Sequence, residues 1–336
     1  MKHTIDLQKY NLRTDLTIEK IKQSDYKNPK IDISKYKDIV IEKIKLSLED
    51  SKIIEKKPGM YTTITFNDTT DHDNQSNLKK VLKDELSQYL KGISKNDLIL
   101  IVGLGNILST ADSLGPKVID NIVVTNHLYE LGICDLKYQK VSAIAPSVTG
   151  KTGIETFDQI KSIVDTIKPK LVIAIDSLAA SSVNRVNKTV QITNTGINPG
   201  SGIGNFRKEI SMDTIDVPVI AIGIPTVVDA SSIVFDTLNY MLKNYSFSKN
   251  TKNNKKYLLT YNNVNYLDKD VKVNNEDKQI LLGLVGKLSD DELKELIYEV
   301  LTPIGYNLMV TTKEIDFIID NFVKIISESL NEIFSS

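Results

Sequence analysis

Leu98-Ile99-Leu100-Ile101-Val102 runs into Gly103-Leu104-Gly105-Asn106, and Leu171-Val172-Ile173-Ala174-Ile175 runs into Asp176. Unbroken apolar runs of this length fit strands covered on both faces, because a half-exposed strand would alternate apolar with polar side chains. The glycines after the first run allow the chain to turn tightly. A third run, 217–224, has the same character, and helical patterns separate the three. Gly115-Pro116 opens a helix reaching about residue 130, since proline suits a first helical turn, and 78–90 and 154–167 carry a 3.6-residue apolar period. The predicted fold is therefore α/β in three layers, a mainly parallel or mixed twisted sheet with helices on both faces. Asp112 falls beyond the carboxyl end of one strand and Asp176 closes another, on the edge where open α/β sheets place their sites. Helix or turn capping accounts for Asp112 equally well.

The rest of the chain frames that unit. Residues 1–30 are polar and read as a loosely attached arm, with Thr14 or Asp15 as a helix N-cap. Residues 36–48 mix helical and strand spacing, 60–66 read as a strand, and 67–75 as a loop. Further strands are expected at 136–143 and 190–194, a glycine-rich loop at 195–205, and a helix around 233–242. Residues 245–280 interleave Asn and Lys with Tyr257, Tyr261 and Tyr266. Asp268, Asp270, Glu276 and Asp277 cancel that basic character, so a solvated surface insertion is expected rather than a nucleic-acid site. Two helices close the chain, 289–301 behind the capping box Ser289-x-x-Glu292, and 312–333.

Composition narrows the chemistry. Forty-two Lys and Arg against 43 Asp and Glu leave a formal charge of -1, which gives no electrostatic case for nucleic acid or a membrane surface. No apolar run approaches a bilayer span, so a cytoplasmic protein is expected. The single cysteine, Cys134, cannot form an internal disulfide. None of the three histidines, His3, His72 and His127, sits in a zinc motif, and no Gly-x-Ser-x-Gly surrounds a serine. No metal and no cofactor is expected.

Three motifs compete. Gly103-x-Gly105 follows a strand, but Leu108 stands where a dinucleotide fingerprint needs its third glycine. Ala145-Pro146-Ser147-Val148-Thr149-Gly150-Lys151-Thr152 misses the phosphate-binding loop pattern by its first residue, with Lys151 and Asp176 as the nucleotide-binding alternative. The third reading pairs Asp112 with Asp176. Two carboxylates crowded into a partly dry crevice hold one proton between them, which is acid–base machinery for peptide hydrolysis.

Longer blocks carry a resemblance. They include Lys57-Pro58-Gly59-x-Tyr61-x-Thr63, Thr110-x-Asp112-x-Leu114-Gly115-Pro116, Ile173-Ala174-Ile175-Asp176-Ser177-Leu178-Ala179-Ala180, Asn194-Thr195-Gly196-Ile197-Asn198-Pro199-Gly200-Ser201-Gly202 and Pro225-Thr226-Val227-Val228-Asp229-Ala230. Over nearly its whole length the chain resembles the germination protease (spore endopeptidase) family. The resemblance implies a fold like that of hydrogenase-maturation proteases and an endopeptidase that degrades small acid-soluble spore proteins during germination. It further implies a self-processing zymogen, a homotetramer, and a place in the cytoplasm of the forespore and spore core. It puts the catalytic pair on Asp112 and Asp176 and a substrate cleft near Asn106, Gly150, Asn198, Gly200 and Gly202. The maturation proteases bind nickel through two acidic residues and a histidine, and no histidine here lies in a comparable block. Family substrates are cut after Thr-Glu, before Phe or Ile and then Ala, with a later Glu. Thr14-Asp15-Leu16-Thr17-Ile18-Glu19 is similar, with Thr17 in place of the usual Ala, so self-cleavage between Asp15 and Leu16 is implied; if Asp15 must shed its charge or the catalytic pair must share a proton, the step should be faster at mildly acidic than neutral pH. The division is then a propeptide, 1–15, and a peptidase domain, 16–336.

Overall fold

The computed structural model describes residues 14–24, 26, 29–133, 137–200, 207–251, 266, 270–301 and 308–335. Its larger compact unit comprises Arg13–Val227 and Thr311–Ser336. Eight described strands build it: β1 Ile31–Tyr36, β2 Ile39–Leu46, β3 Gly59–Thr65, β4 Ile99–Gly103, β5 Val141–Ile144, β6 Leu171–Ala180, β7 Thr189–Thr193 and β8 Val219–Asp229. Their order is β1-β2-β3-β7-β8-β6-β4-β5. β4 runs parallel to both β5 and β6, while β1, β2, β3, β7 and β8 pair antiparallel in sequence along the other half. The sheet is thus mixed, as the sequence allowed.

The helices of this unit are α1 Thr17–Gln23, α2 Leu48–Ile54, α3 His72–Tyr89, α4 Leu114–Ile119, α5 Asn126–Glu130, α6 Thr149–Thr152, α7 Thr156–Ile167 and α8 Met212–Ile215, with a C-terminal helix Ile315–Phe334. Strand side chains alternate between faces, and the core divides accordingly. Ile99, Ile101, Ile173 and Ile175 pack with Leu78, Leu82 and Leu86 of α3, Leu114 and Val118 of α4, and Phe322 and Ile326 of the C-terminal helix. Leu100, Val102, Val172 and Ala174 meet Ile160 and Val164 of α7 on the other face. Each side chain buried this way contributes roughly 1.5–3 kcal/mol, which explains why the central strands are apolar without alternation.

Several sequence expectations are corrected. The mixed pattern at 36–48 resolves into the β1–β2 hairpin, turned at Lys37 with φ 52°. The helix expected to reach residue 130 stops at Ile119. Asn331 of the C-terminal helix donates to the Asn121 carbonyl at 3.0 Å and accepts from the Val123 amide at 3.0 Å, a tertiary grip that holds the chain out of helix. Asp176 does not end its strand, because β6 continues four residues to Ala180. The arm is not loose where it is described. Leu16, Thr17 and Ile18 are fully buried, and Leu16, not Thr14 or Asp15, is the N-cap of α1.

The second unit takes in Val228–Val310. β9, Met309–Val310, pairs antiparallel with Val228 and Asp229, and the helices α9 Ala230–Thr251, α10 Asn275–Leu282 and α11 Asp290–Leu301 follow the chain. The C-terminal helix of the larger unit is α12. The expected capping box is present, Ser289 and Glu292 exchanging bonds of 2.8 and 3.2 Å. Tyr266 packs against Tyr240 and Phe247, with ring centroids 5.4 Å apart in each pair. Tyr257, Tyr261, Asp268 and Cys134 lie outside the described residues. No described helix is long and apolar enough to cross a membrane.

Candidate active site

The site is assembled where β4 and β6 stop pairing. Gly103 is the last residue of β4 and stands opposite Ile175. The Leu104 amide still donates to the Ile175 carbonyl at 2.8 Å, after which Gly105 turns the chain at φ 114°. A Cβ at Gly105 would lie 2.1 Å from the Asp112 carbonyl oxygen and 2.9 Å from its Oδ1. One at Gly115 would lie 2.2 Å from the Leu104 carbonyl oxygen. A Cβ at Gly103 would in turn lie 2.3 Å from the Gly115 carbonyl oxygen, so Gly103 and Gly105 serve close backbone approach to the turn and helix that carry Asp112, which is the physical reason for the pattern that resembled a dinucleotide fingerprint.

Asp112 closes a single turn of 3-10 helix, Thr110–Asp112. The Asn106 amide donates to its carbonyl at 2.9 Å, its own amide donates to Ser109 at 2.8 Å, and the Thr226 hydroxyl of β8 donates to the Ala111 carbonyl at 2.6 Å. Asp112 makes no N-terminal cap for α4, whose N-cap is Ser113. Asp176 shares the face of Val172 and Ala174 by strand alternation and is 4% exposed. Its Oδ1 accepts from the Ser177 amide at 2.9 Å.

Electrostatics separates the two acids. Burial pushes Asp112 up from 3.8 to about 6, against the opposing pull of the Asn106 amide and the Arg207 guanidinium. Asp176 is raised well above the ordinary carboxylate value, first by burial, then by the charges of Asp112 and Asp15. Both shifts favour the protonated carboxyl, and the Asp112 charge couples the two groups, so their protons belong to the pair rather than to either residue. One carboxylate is then free to accept a proton while the other donates one.

The arm runs beside the same strand. The Asp15 amide donates to the Ala179 carbonyl at 3.0 Å, and the Ala179 amide donates to Asp15 Oδ2 at 2.9 Å. Thr14 Oγ1 accepts from the Leu16 amide at 3.0 Å and donates to Glu19 Oε2, which also accepts from the Ser181 amide at 2.8 Å. The Asp15–Leu16 junction is thereby fixed along the extension of β6 beyond Asp176.

Of the expected cleft residues, Asn106 touches Asp112 directly. Asn198 is exposed and Gly200 turns at φ 73°, both on the loop after β7. Gly202 lies outside the described residues. Gly150 is exposed in α6, with nothing within 4 Å of a Cβ built there, and no described contact brings it to the acids. The nucleotide-binding alternative is not favoured. Lys151 is exposed, and the Lys151 and Thr152 amides bond to the Val148 carbonyl at 2.9 and 3.2 Å instead of opening toward a phosphate. Sequence reasoning missed Arg207, whose charge acts on both acids. Its signal was rarity, since arginine occurs only at 13, 185 and 207 among 42 cationic side chains. Lys56 and Gln191, which contact the Asp15 carbonyl, carried no sequence signal. No group of three or more His, Cys, Asp and Glu suited to a metal occurs among the described residues.

Comparison with known proteins adds independent findings. A family model described as germination protease matches residues 6–336. The germination protease of Bacillus thuringiensis subsp. konkukian is 41% identical, over 98% of this chain and 95% of its own length. That of Priestia megaterium is 40% identical, with the same coverage. Among solved structures, a NiFe hydrogenase maturation protease from Thermococcus kodakarensis KOD1 aligns with 44% of this chain and 80% of its own, at 17% identity and a TM-score of 0.27. That last likeness is too weak to carry an argument.

Proposed function

The chain belongs to the germination protease family, and from that premise we propose that it is an aspartate-dependent endopeptidase, made as a zymogen, that degrades small acid-soluble spore proteins. The observation that carries the mechanism is the pair of raised carboxylates where β4 stops pairing with β6, with the Asp15–Leu16 junction docked on the continuation of β6. Asp112 is the general base, ionised above about 6, and Asp176, raised well above the ordinary carboxylate value by burial and the Asp112 charge, is the general acid. Water loses a proton to Asp112 as its oxygen bonds to the carbonyl carbon. Asp176 gives its proton to the departing amine, so one water yields one carboxyl and one amino group.

The same reading makes residues 1–15 a propeptide removed by self-cleavage. A tethered segment reaches an effective concentration up to the millimolar range, so an imperfect site can be cut without another protease. The order of titration limits the expected acid stimulation, because below about 6 the base itself becomes protonated. The working form is a homotetramer in the forespore and spore core.

Incubating the full chain at pH 6 and determining its new N-terminus tests the reading. Leu16 is the expected new terminus, and Asp112→Asn and Asp176→Asn are each expected to slow its appearance by about 10²–10⁴-fold, the usual worth of a positioned acid or base, with circular dichroism unchanged. Near-normal cleavage in either folded variant would remove that residue from the pair.

A further inference from the structure

The carbonyl oxygen of Asp15 receives two donors. Lys56 Nζ lies 3.0 Å away and Gln191 Nε2 lies 3.1 Å away. From this geometry we propose that Lys56 and Gln191 form the oxyanion hole of the protease, gripping the carbonyl of the bond to be cut and stabilising the negative charge that develops on its oxygen. The inference rests on the reading of Asp15–Leu16 as a bond the protein cuts.

Both donors are placed by the backbone rather than by chance contact. Lys56 follows Glu55, which caps α2 in the left-handed conformation at φ 54° and turns the chain from that helix into β3. The Asp15 carbonyl is the one acceptor Lys56 has among the described residues. Lys56 is half-buried, and a partly desolvated ammonium gains from a carboxylate as its direct hydrogen-bond partner. Here the ammonium meets a neutral peptide oxygen, an arrangement that gains most when that oxygen becomes an anion. Burial lowers the pKa of Lys56, and the charges of Asp15 and Glu19 oppose that loss.

Gln191 comes from the middle of β7 and is itself buried. While its Nε2 holds the Asp15 carbonyl, its Oε1 accepts from the Thr17 amide at 2.8 Å. One planar amide thus spans the junction, with a donor on the acid side and an acceptor two residues on. Because it reads only main-chain atoms, the grip suits any sequence at the cleaved bond. Selection of an acidic residue falls instead to the Ala179 amide, which holds the Asp15 carboxylate at 2.9 Å.

The step balances without another reactant. Water oxygen bonds to the Asp15 carbonyl carbon while its proton passes to the ionised carboxylate of the pair, and the carbonyl electrons move onto the oxygen facing Lys56 and Gln191. Collapse restores the double bond and breaks the bond to the Leu16 nitrogen, which takes the proton held by the other carboxylate.

The test follows the full-length chain by intact mass, with a synthetic peptide of residues 8–23 in the same tube, so that self-cleavage and cleavage in trans are read together. Lys56→Met is expected to slow both by about 10²–10³-fold, the range for losing an oxyanion donor. Its KM for the peptide should change less than about threefold, and its unfolding midpoint should stay close to that of wild type because Lys56 is half-buried and methionine keeps most of its apolar stem. Lys56→Arg should recover part of the rate. Gln191→Met is expected to lower kcat and also raise KM, since it loses the Thr17 amide as well. A Lys56→Met chain that works within about threefold of wild type on both substrates overturns the proposal. If wild type cuts the peptide but not itself at Asp15–Leu16, self-processing fails, and the oxyanion hole stands or falls on the peptide rates alone. A wild-type chain that cuts neither overturns both.

Discussion

The two halves of the sheet do different work. In the parallel half, β4 ends opposite Ile175 and releases a loop while β6 runs on to Ala180, so the charge of Asp112 acts on Asp176 although 64 residues separate them in sequence. In the antiparallel half, β2, β3 and β7 form a ladder of adjacent strands, with Lys56 and Gln191 facing the arm from a helix-to-strand turn and a mid-strand position. Parallel strands collect loops at a common edge, whereas antiparallel strands offer side chains from within the ladder. The acids accordingly sit where burial raises both and the Asp112 charge raises Asp176 further, and the donors sit where the backbone holds them in register.

If that division is correct, pH should act through the parallel half. Peptide cleavage is expected to fall about tenfold per unit below pH 6, where Asp112 takes up a proton and ceases to be a base. The groups acting on that limb are Asp112 itself, Asp176, Asp15 and Arg207. Arg207→Ala removes a cation that lowers both acids, so the limb should move to higher pH, and Arg207→Lys should largely retain it. A pH–rate profile unmoved by Arg207→Ala would detach that residue from the pair.

A smaller effect concerns stability and has a definite sign. Asp112 is raised in the folded chain, so its contribution is fully present below about pH 4 and is lost as pH rises through about 6. Asp112→Asn should therefore be more stable than wild type at pH 7, by about 2 kcal/mol and at most about 3 from the size of the shift, with the gap closing toward pH 4. Urea unfolding at the two pH values measures it. A gap independent of pH would show that the carboxylate is not held at a cost.

The antiparallel half supplies the control. Arg185 Nη1 lies 3.6 Å from Glu42 of β2 and 2.7 Å from Thr65 Oγ1 of β3, all largely buried. Arg185→Met should cost about 1–2 kcal/mol in unfolding experiments, since it leaves Glu42 without its cation, yet leave the acid limb near pH 6. Movement of that limb would show that the halves are electrostatically coupled.

Much of this was legible in the residues. The unbroken apolar runs at 98–102 and 171–175 required cover on both faces, and the structure supplies two cores divided by strand parity. The capping box at Ser289 rests on four consecutive residues and was readable for that reason. Other features depended on partners far along the chain. The break after Ile119 comes from Asn331, and the burial of Leu16 and Ile18 comes from packing of an arm whose polar composition suggested looseness.

The sequence alone determined the layered α/β class, the helical and strand periods, and the placement of Asp112 in the turn beyond the first apolar strand, because those depend on local patterns of apolar and turn-forming residues. Tertiary structure decided the mixed strand order, the continuation of β6 past Asp176, the action of the Arg207 charge on the acids, and the meeting of Lys56 and Gln191 with the Asp15 carbonyl. The physical reason is range. Hydrophobic periodicity is written within a dozen neighbouring residues, whereas a desolvated carboxylate or a two-donor grip on one carbonyl exists only once segments tens to more than 100 residues apart pack together.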